Sequence, residues 1–426
     1  MIENFTEIIA LADEITKNDP EGQIKVASLT KGLANALKNT QGKVDGMRST
    51  HFIDKKLEAE GAFAAWLDAN PAAKAKYGDI QPGTKALYDK LEKTRERDNV
   101  LGLIQGLAGL QINVAGQAYI VAKELEKPEK ERQPGFTRET ADEILDQLQY
   151  AYADYYEPFD KALFSRTLKM AASLPAGQRL DGIEDILTNG SKNIDQFVEE
   201  AYRHSKLNEL EYAKGLFSMT SKQLEAMDNP FIRMAIALYP VNESSRLENE
   251  QFAASVTGFR KRYLEALYEW KGSGLYPDAN STMRFTWGPV KGYEPADAVT
   301  YHPFTSLKGV MAKNTGKEPF DVPQALIDLY NNKDFGRWAD PVLKDVPVAF
   351  THQCDITGGN SGSPVMNAKG EVIGVAFDGN YEAMIGDWQY DYDLQRTISV
   401  DIRYVMFITD KFAKAGFILD EMGVKH

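Results

Sequence analysis

The sequence predicts an α+β chain, with an all-α region over residues 1–271 followed by a β-rich region over residues 272–426. Long helical periodicities fill the first part, and closely spaced prolines mark the change just after Gly272. A glycine-rich turn bearing two serines then lies among short Val- and Ile-rich runs.

Amphipathic helical patterns cover residues 3–17, 23–38 and 84–99. Residues 100–122 lack formal charge and hold the small pair Gly102 and Gly106, which raises the question of a membrane span. Gln105, Gln111, Asn113 and Gln117 interrupt that stretch, and its flanks are charged, so a buried central helix is the better reading. A proline-bounded charged loop follows from Lys127-Pro128-Glu129 to Gln133-Pro134-Gly135. Thr140-Ala141-Asp142-Glu143 then reads as a capping box that starts a helix. Ile144, Leu145, Leu148 and Tyr152 fall on one face of it. Further helices are expected over 193–203 and 244–271, and no repeat period is visible.

After Gly272 come Pro277, Pro289, Pro295 and Pro303, with strands expected over 283–287 and 346–350. A short helix is expected over 323–331, a turn at Asn367-Ala368-Lys369-Gly370, a strand over 371–377 and a last helix over 402–415.

With 426 residues the chain is long enough for two or three domains and a large core. Its net charge of −13, and a pI near 5.1, argue against a nucleic-acid partner. One cysteine, Cys354, excludes an internal disulfide, and a buried strand thiol is its expected role. No metal or cofactor is expected. Met1-Ile2-Glu3-Asn4-Phe5 has neither a basic nor an apolar leader segment, so no signal peptide is expected in this chain.

Thr357-Gly358-Gly359-Asn360-Ser361-Gly362-Ser363-Pro364 reads as the nucleophile loop of a serine peptidase with a chymotrypsin-like double β-barrel. A nucleophilic serine needs a tight turn that exposes Oγ and backbone N–H groups aimed at the developing oxyanion. By this spacing Ser361 is the nucleophile, and the N–H groups of Gly359 and Ser361 form the oxyanion hole. Phe377-Asp378-Gly379-Asn380 is the expected pocket-lining segment.

Several segments carry a family resemblance, among them Tyr276-Pro277-Asp278-Ala279-Asn280-Ser281-Thr282 and Gly292-Tyr293-Glu294-Pro295-Ala296-Asp297. Glu318-Pro319-Phe320-Asp321-Val322-Pro323, the serine loop, and the run from Leu394 to Tyr404 complete the set. Together they resemble the bacterial dipeptidyl-peptidase 7 and dipeptidyl-peptidase 11 group. The resemblance implies a helical domain that caps the cleft of a double-barrel catalytic domain and restricts cleavage to N-terminal dipeptides. It implies peptide substrates, a homodimeric full-length enzyme, and a periplasmic or cell-surface location. The family's catalytic His and Asp are expected upstream of Met1, so the chain alone is expected to be inactive.

Asn39 resembles the family asparagine that binds the substrate's free amine, the alternative being a helix C-cap before Thr40-Gln41-Gly42. Asp378 resembles the carboxylate that pairs with the same amine, or else is a turn residue before Gly379. Read from position alone, Asp355 predicts cleavage after Lys or Arg, whereas the resemblance puts selection at Gly379. A glycine there implies a hydrophobic second residue; an arginine would imply Asp or Glu. Asn360 stands where trypsin-like enzymes hold a new N-terminus on aspartate, so no such activation is expected. His51, His204, His302, His352 and His426 are the chain's histidines, and His352 and His302 are the local candidates for a base. The competing reading is a non-catalytic binding or scaffold protein that retains the serine loop.

Overall fold

The structure, a computed structural model, describes residues 1–187, 191–276, 282–317 and 319–425. It comprises two compact units: Met1–Leu37 with Glu60–Tyr276, and Lys38–Ala59 with Pro277–His426. A short N-terminal stretch thus belongs with the β-rich residues, which a single boundary near residue 272 does not capture.

The first unit is helical. Its elements begin with α1 (Ile2–Thr16), α2 (Pro20–Ser49), α3 (Phe52–Ala69), α4 (Pro71–Tyr77), α5 (Ile80–Glu92), α6 (Arg95–Gly106) and α7 (Leu110–Leu125). They continue with α8 (Arg138–Ala153), α9 (Glu157–Ala172), α10 (Glu184–Leu187), α11 (Ser191–His204), α12 (Leu210–Leu216), α13 (Ser221–Glu225) and α14 (Pro230–Lys271). Residues 38–49 of α2 and 52–59 of α3 are counted with the second unit.

The apolar stretch over 100–122 is two helices, because the chain breaks between Gly106 and Leu110. Gly109 adopts φ +124°, and a Cβ there would lie 2.9 Å from Asp160 Oδ1. That carboxylate accepts from the N–H of Leu110 at the start of α7 and from Tyr202 Oη at 2.6 Å. Ile112, Val114, Ala115, Ala118, Val121 and Ala122 of α7 are buried, as a central helix requires. Among the described residues no helix is long and apolar enough to cross a membrane.

Leu148 is buried, and Ile144, Leu145 and Tyr152 pack against the same core. The helix carrying them begins at Arg138, and Thr140, the capping side chain of the expected box, lies outside the described residues. The final helix starts at Pro230, well before the expected 244. Asn229 Oδ1 accepts from the N–H groups of Phe231 and Ile232, and Pro230 takes the first position, where no intrahelical N–H is needed. Pro240 lies inside this helix without ending it.

The second unit holds a hairpin of β1 (Tyr293–Ala296) and β2 (Val299–Tyr301) and an antiparallel five-stranded sheet. The sheet strands are β3 (Phe304–Ser306), β4 (Pro347–His352), β5 (Pro364–Met366), β6 (Val372–Gly379) and β7 (Thr397–Asp401), in the order β3-β4-β7-β6-β5. Helices α15 (Leu307–Lys313), α16 (Gln324–Asn331), α17 (Ile402–Phe407) and α18 (Gly416–Glu421) accompany them. Leu307, Leu326, Val346, Phe407 and Leu419 form the core beside the sheet.

The expected strand over 283–287 is absent. Met283, Phe285 and Trp287 are open to solvent, at 84%, 84% and 88% exposure, and no neighbouring strand pairs with that stretch. Regular contact begins only nearer β4, where Val290 bridges His352. The last helix is also shorter than expected, since α17 passes into a π turn at Ile408–Phe412.

Candidate active site

The serine loop links β4 to β5 and is built as two overlapping turns. Asn360 N–H donates to Thr357 O at 3.2 Å, and Ser363 N–H to Asn360 O at 3.0 Å. Asn360 is part of the scaffold itself, for its Oδ1 accepts from Thr357 N–H at 3.0 Å. Gly359 at φ +97° and Gly362 at φ +89° take a conformation that side chains resist. The loop is stitched to β6 by Gly362 N–H to Ala376 O at 2.8 Å and by Ala376 N–H to Ser363 O at 2.9 Å.

Ser361 is thereby left exposed at the tip, with Oγ donating weakly to Phe377 O at 3.4 Å. Among the described residues, nothing accepts from the N–H of Gly359 or of Ser361.

Strand β6 is irregular against β7. Ala376 faces Ser399 and Asp378 faces Ile398, so Phe377 is the extra residue of a bulge. Gly374 and Ala376 are buried, and uninterrupted alternation would bury Asp378 as well. The bulge turns Phe377 and Asp378 out to solvent instead. Asp378 Oδ1 accepts from Gly379 N–H at 2.8 Å. A Cβ on Gly379 would sit 3.0 Å from Ala383 Cβ and 3.8 Å from Arg396 O.

Arg396 supports this region from below and is 1% exposed. Among the described residues no carboxylate bonds to it. Nη1 donates to the carbonyls of Tyr392 and Gln395 at 2.9 and 2.6 Å, and Nη2 to those of Gly292 and Asp393 at 2.9 and 3.0 Å. Burial pulls its pKa down, with nearby tyrosines and aspartates opposing. Asn380 extends the network, donating to Leu394 O and accepting from Arg396 N–H. Sequence reasoning assigned Arg396 no role, because an arginine before an alternating strand reads as a surface residue.

Asn39 lies within α2, which runs unbroken to Ser49, so it is not a helix C-cap. Its Nδ2 is 3.5 Å from Met384 Sδ. The helix meets the 3₁₀ turn Tyr381–Ile385 closely: a Cβ on Gly42 would lie 2.7 Å from Met384 Cγ, and one on Gly46 3.2 Å from Ile385 Cβ. Tyr381 Oη donates to Asp45 Oδ2 at 2.8 Å across the same contact.

His352 is 3% exposed, with Nε2 2.8 Å from Ser399 Oγ. Burial pulls its pKa down to about 4, so the ring is neutral at physiological pH. It is a sheet-core group and does not hydrogen-bond to Ser361. His302 is exposed, with Nδ1 accepting from Phe304 N–H at 3.2 Å, and His426 lies outside the described residues. Asp355 faces Arg284, 3.8 Å away, and its N–H donates to Thr286 Oγ1. Cys354 is only half-buried and lies just past β4 rather than within a strand, and burial pushes its thiol pKa up. Among the described residues no group of His, Cys, Asp or Glu could hold a metal ion.

The peptidase S46 family model matches residues 1–424. The chain belongs to the peptidase S46 family. It is 34% identical to dipeptidyl-peptidase 7 of Capnocytophaga gingivalis, covering 95% of this chain and 56% of that protein. It is 29% identical to the Asp/Glu-specific dipeptidyl-peptidase of Shewanella putrefaciens, covering 95% and 58%. Among solved structures, Porphyromonas endodontalis DPP11 in complex with the dipeptide Arg-Glu matches with a TM-score of 0.76 at 27% identity, covering 100% of this chain and 61% of that one. The same protein in an alternate conformation matches at 0.62. The chain therefore spans less than two thirds of the length of these relatives.

Proposed function

We propose that this S46 chain carries the helical domain and the serine-bearing portion of a serine dipeptidyl-peptidase. The observation that carries this reading is Ser361, exposed on a glycine turn beside the unused N–H groups of Gly359 and Ser361. Ser361 Oγ attacks the carbonyl of the substrate's second residue, and the two N–H groups stabilise the oxyanion. Collapse expels the shortened peptide and leaves a dipeptidyl ester on Ser361, which water then hydrolyses. Because His352 is engaged with Ser399, the general base is a histidine from outside these residues, held by its aspartate.

The antiparallel sheet is read as part of one barrel of a chymotrypsin-like pair. Asn39 and Asp378 bind the free amine of the substrate. Gly379 leaves room for a hydrophobic second residue. Asp355, beside Arg284, is not available as a selector of Lys or Arg. The full-length enzyme is proposed to be a periplasmic or cell-surface homodimer acting on peptides.

The test is covalent labelling by a fluorophosphonate together with hydrolysis of dipeptidyl chromogenic substrates, in the full-length polypeptide. Ser361→Ala should abolish labelling and lower kcat by several orders of magnitude. Wild-type protein that neither labels nor hydrolyses favours a binding or scaffold role. The polypeptide of residues 1–426 alone should show no turnover. Turnover by it that Ser361→Ala removes would point to a local base.

A further inference from the structure

Asp387 touches both halves of the proposed site. Its Oδ1 accepts from Thr357 Oγ1 at 2.9 Å, at the head of the serine turn. Its Oδ2 lies 3.9 Å from Lys43 Nζ on α2, and that ammonium also sits 5.1 Å over the ring of Trp388. Thr357 is tied directly to the residue before the nucleophile, since its N–H is held by Asn360 Oδ1. Lys43 follows Asn39 by one helical turn, so the two share a helix face.

An enzyme that releases dipeptides must hold the substrate amine and the scissile carbonyl at a fixed separation. Two extended residues span only about 7 Å. A displacement of about 1 Å between binding group and nucleophile can cost about a hundredfold in rate. The contacts that set this separation are therefore as consequential as the groups that touch the substrate.

We propose that Asp387 is a positioning residue that locks the amine-binding segment of α2 to the serine turn and so fixes where the peptide is cut. This rests on the dipeptidyl-peptidase reading above. The Thr357 hydroxyl orients the carboxylate, and the partly exposed Lys43 pair, reinforced by Trp388, holds the helix.

The test uses the full-length polypeptide with Asp387→Ala, Asp387→Asn and Lys43→Met. Asp387→Asn keeps an acceptor for Thr357 and loses the charge facing Lys43. Rates on a free-amine dipeptidyl substrate are compared with those on the matching tripeptidyl and N-acetylated substrates. Asp387→Ala should lower kcat/KM on the dipeptidyl substrate by about tenfold to a hundredfold and narrow its advantage over the other two. Asp387→Asn and Lys43→Met should narrow it less. An equal loss on all three substrates, or none, overturns the proposal. Amide exchange provides a second measurement that does not depend on turnover. Asp387→Ala should speed exchange in residues 357–362 and 38–46 together, and acceleration of only one of them, or of neither, also overturns it. If the wild type hydrolyses nothing, the peptidase reading fails, and the exchange result alone decides whether Asp387 couples the two segments.

Discussion

The helical unit buries a carboxylate and the β-rich unit buries an imidazole, and the surroundings shift them in opposite directions. Asp160 closes the start of α7, where burial pushes its pKa up to about 6 despite the bonds from Leu110 and Tyr202. His352 ends β4, opposite Thr397 of β7, where burial alone pulls it down to about 4. In both cases the interior disfavours charge. The difference teaches that one physical cause gives these two groups opposite contributions to stability as pH changes. The second unit also buries Arg396, which backbone carbonyls surround and which stays charged throughout this range.

The largest expected effect comes from that arginine. Arg396→Met should destabilise the β-rich unit by at least about 3 kcal/mol, because several buried carbonyls lose their donors at once. Urea titration followed by amide exchange, read separately over the two units, should show early loss in the β-rich unit only. Simultaneous loss in both would break the separation drawn here.

The pH pair comes next. Below its unfolded pKa of 3.8 Asp160 is protonated in either state, and its contribution is fully present. As pH rises from about 4 through about 6 the unfolded chain ionises first, so the stability that Asp160 contributes to the helical unit is lost. His352 runs the other way: its contribution is present above 6.5 and is lost as pH falls toward about 4. Each should amount to roughly 1–3 kcal/mol. Exchange at pH 4.5 and 6.5 should therefore diverge between the units. Asp160→Asn should flatten the first slope and His352→Gln the second. A slope that survives its own substitution removes that group as the cause.

Gly379→Arg should have the smallest effect on stability, a modest cost as its Cβ presses on Ala383 Cβ at 3.0 Å. Its expected consequence is in selectivity. In a full-length active enzyme, kcat/KM should fall for substrates with a hydrophobic second residue and rise for those with Asp or Glu, where a carboxylate meets the guanidinium. An unchanged ratio removes Gly379 from the pocket and makes Met384 the next residue to test.

Much of this was legible in the sequence, but unevenly. Helical periodicity located α1, α11 and the apolar face of α8, and the turn residues around Ser361 announced their own geometry. The helix expected over 244–271 in fact starts at Pro230, and packing along it carries the chain through Pro240. The stretch over 283–287 has strand composition yet is not a strand, since pairing depends on a neighbour that composition cannot supply. Asn39 looked equally like a cap and a binding residue until the continuity of α2 decided against the cap. Arg396 and Asp387 gave no local signal, because their partners come from distant parts of the chain.

The bulge at Phe377 constrains how this loop can diverge. Replacing the side chain at 377 or 378 leaves the strand's frame intact and changes only what is presented to solvent. Pairing the strand without the bulge, with every residue kept, would slip the register by one and carry Asp378 inward, onto the face that Gly374 and Ala376 occupy. Changes in what this strand presents should therefore proceed by substitutions that keep the bulge.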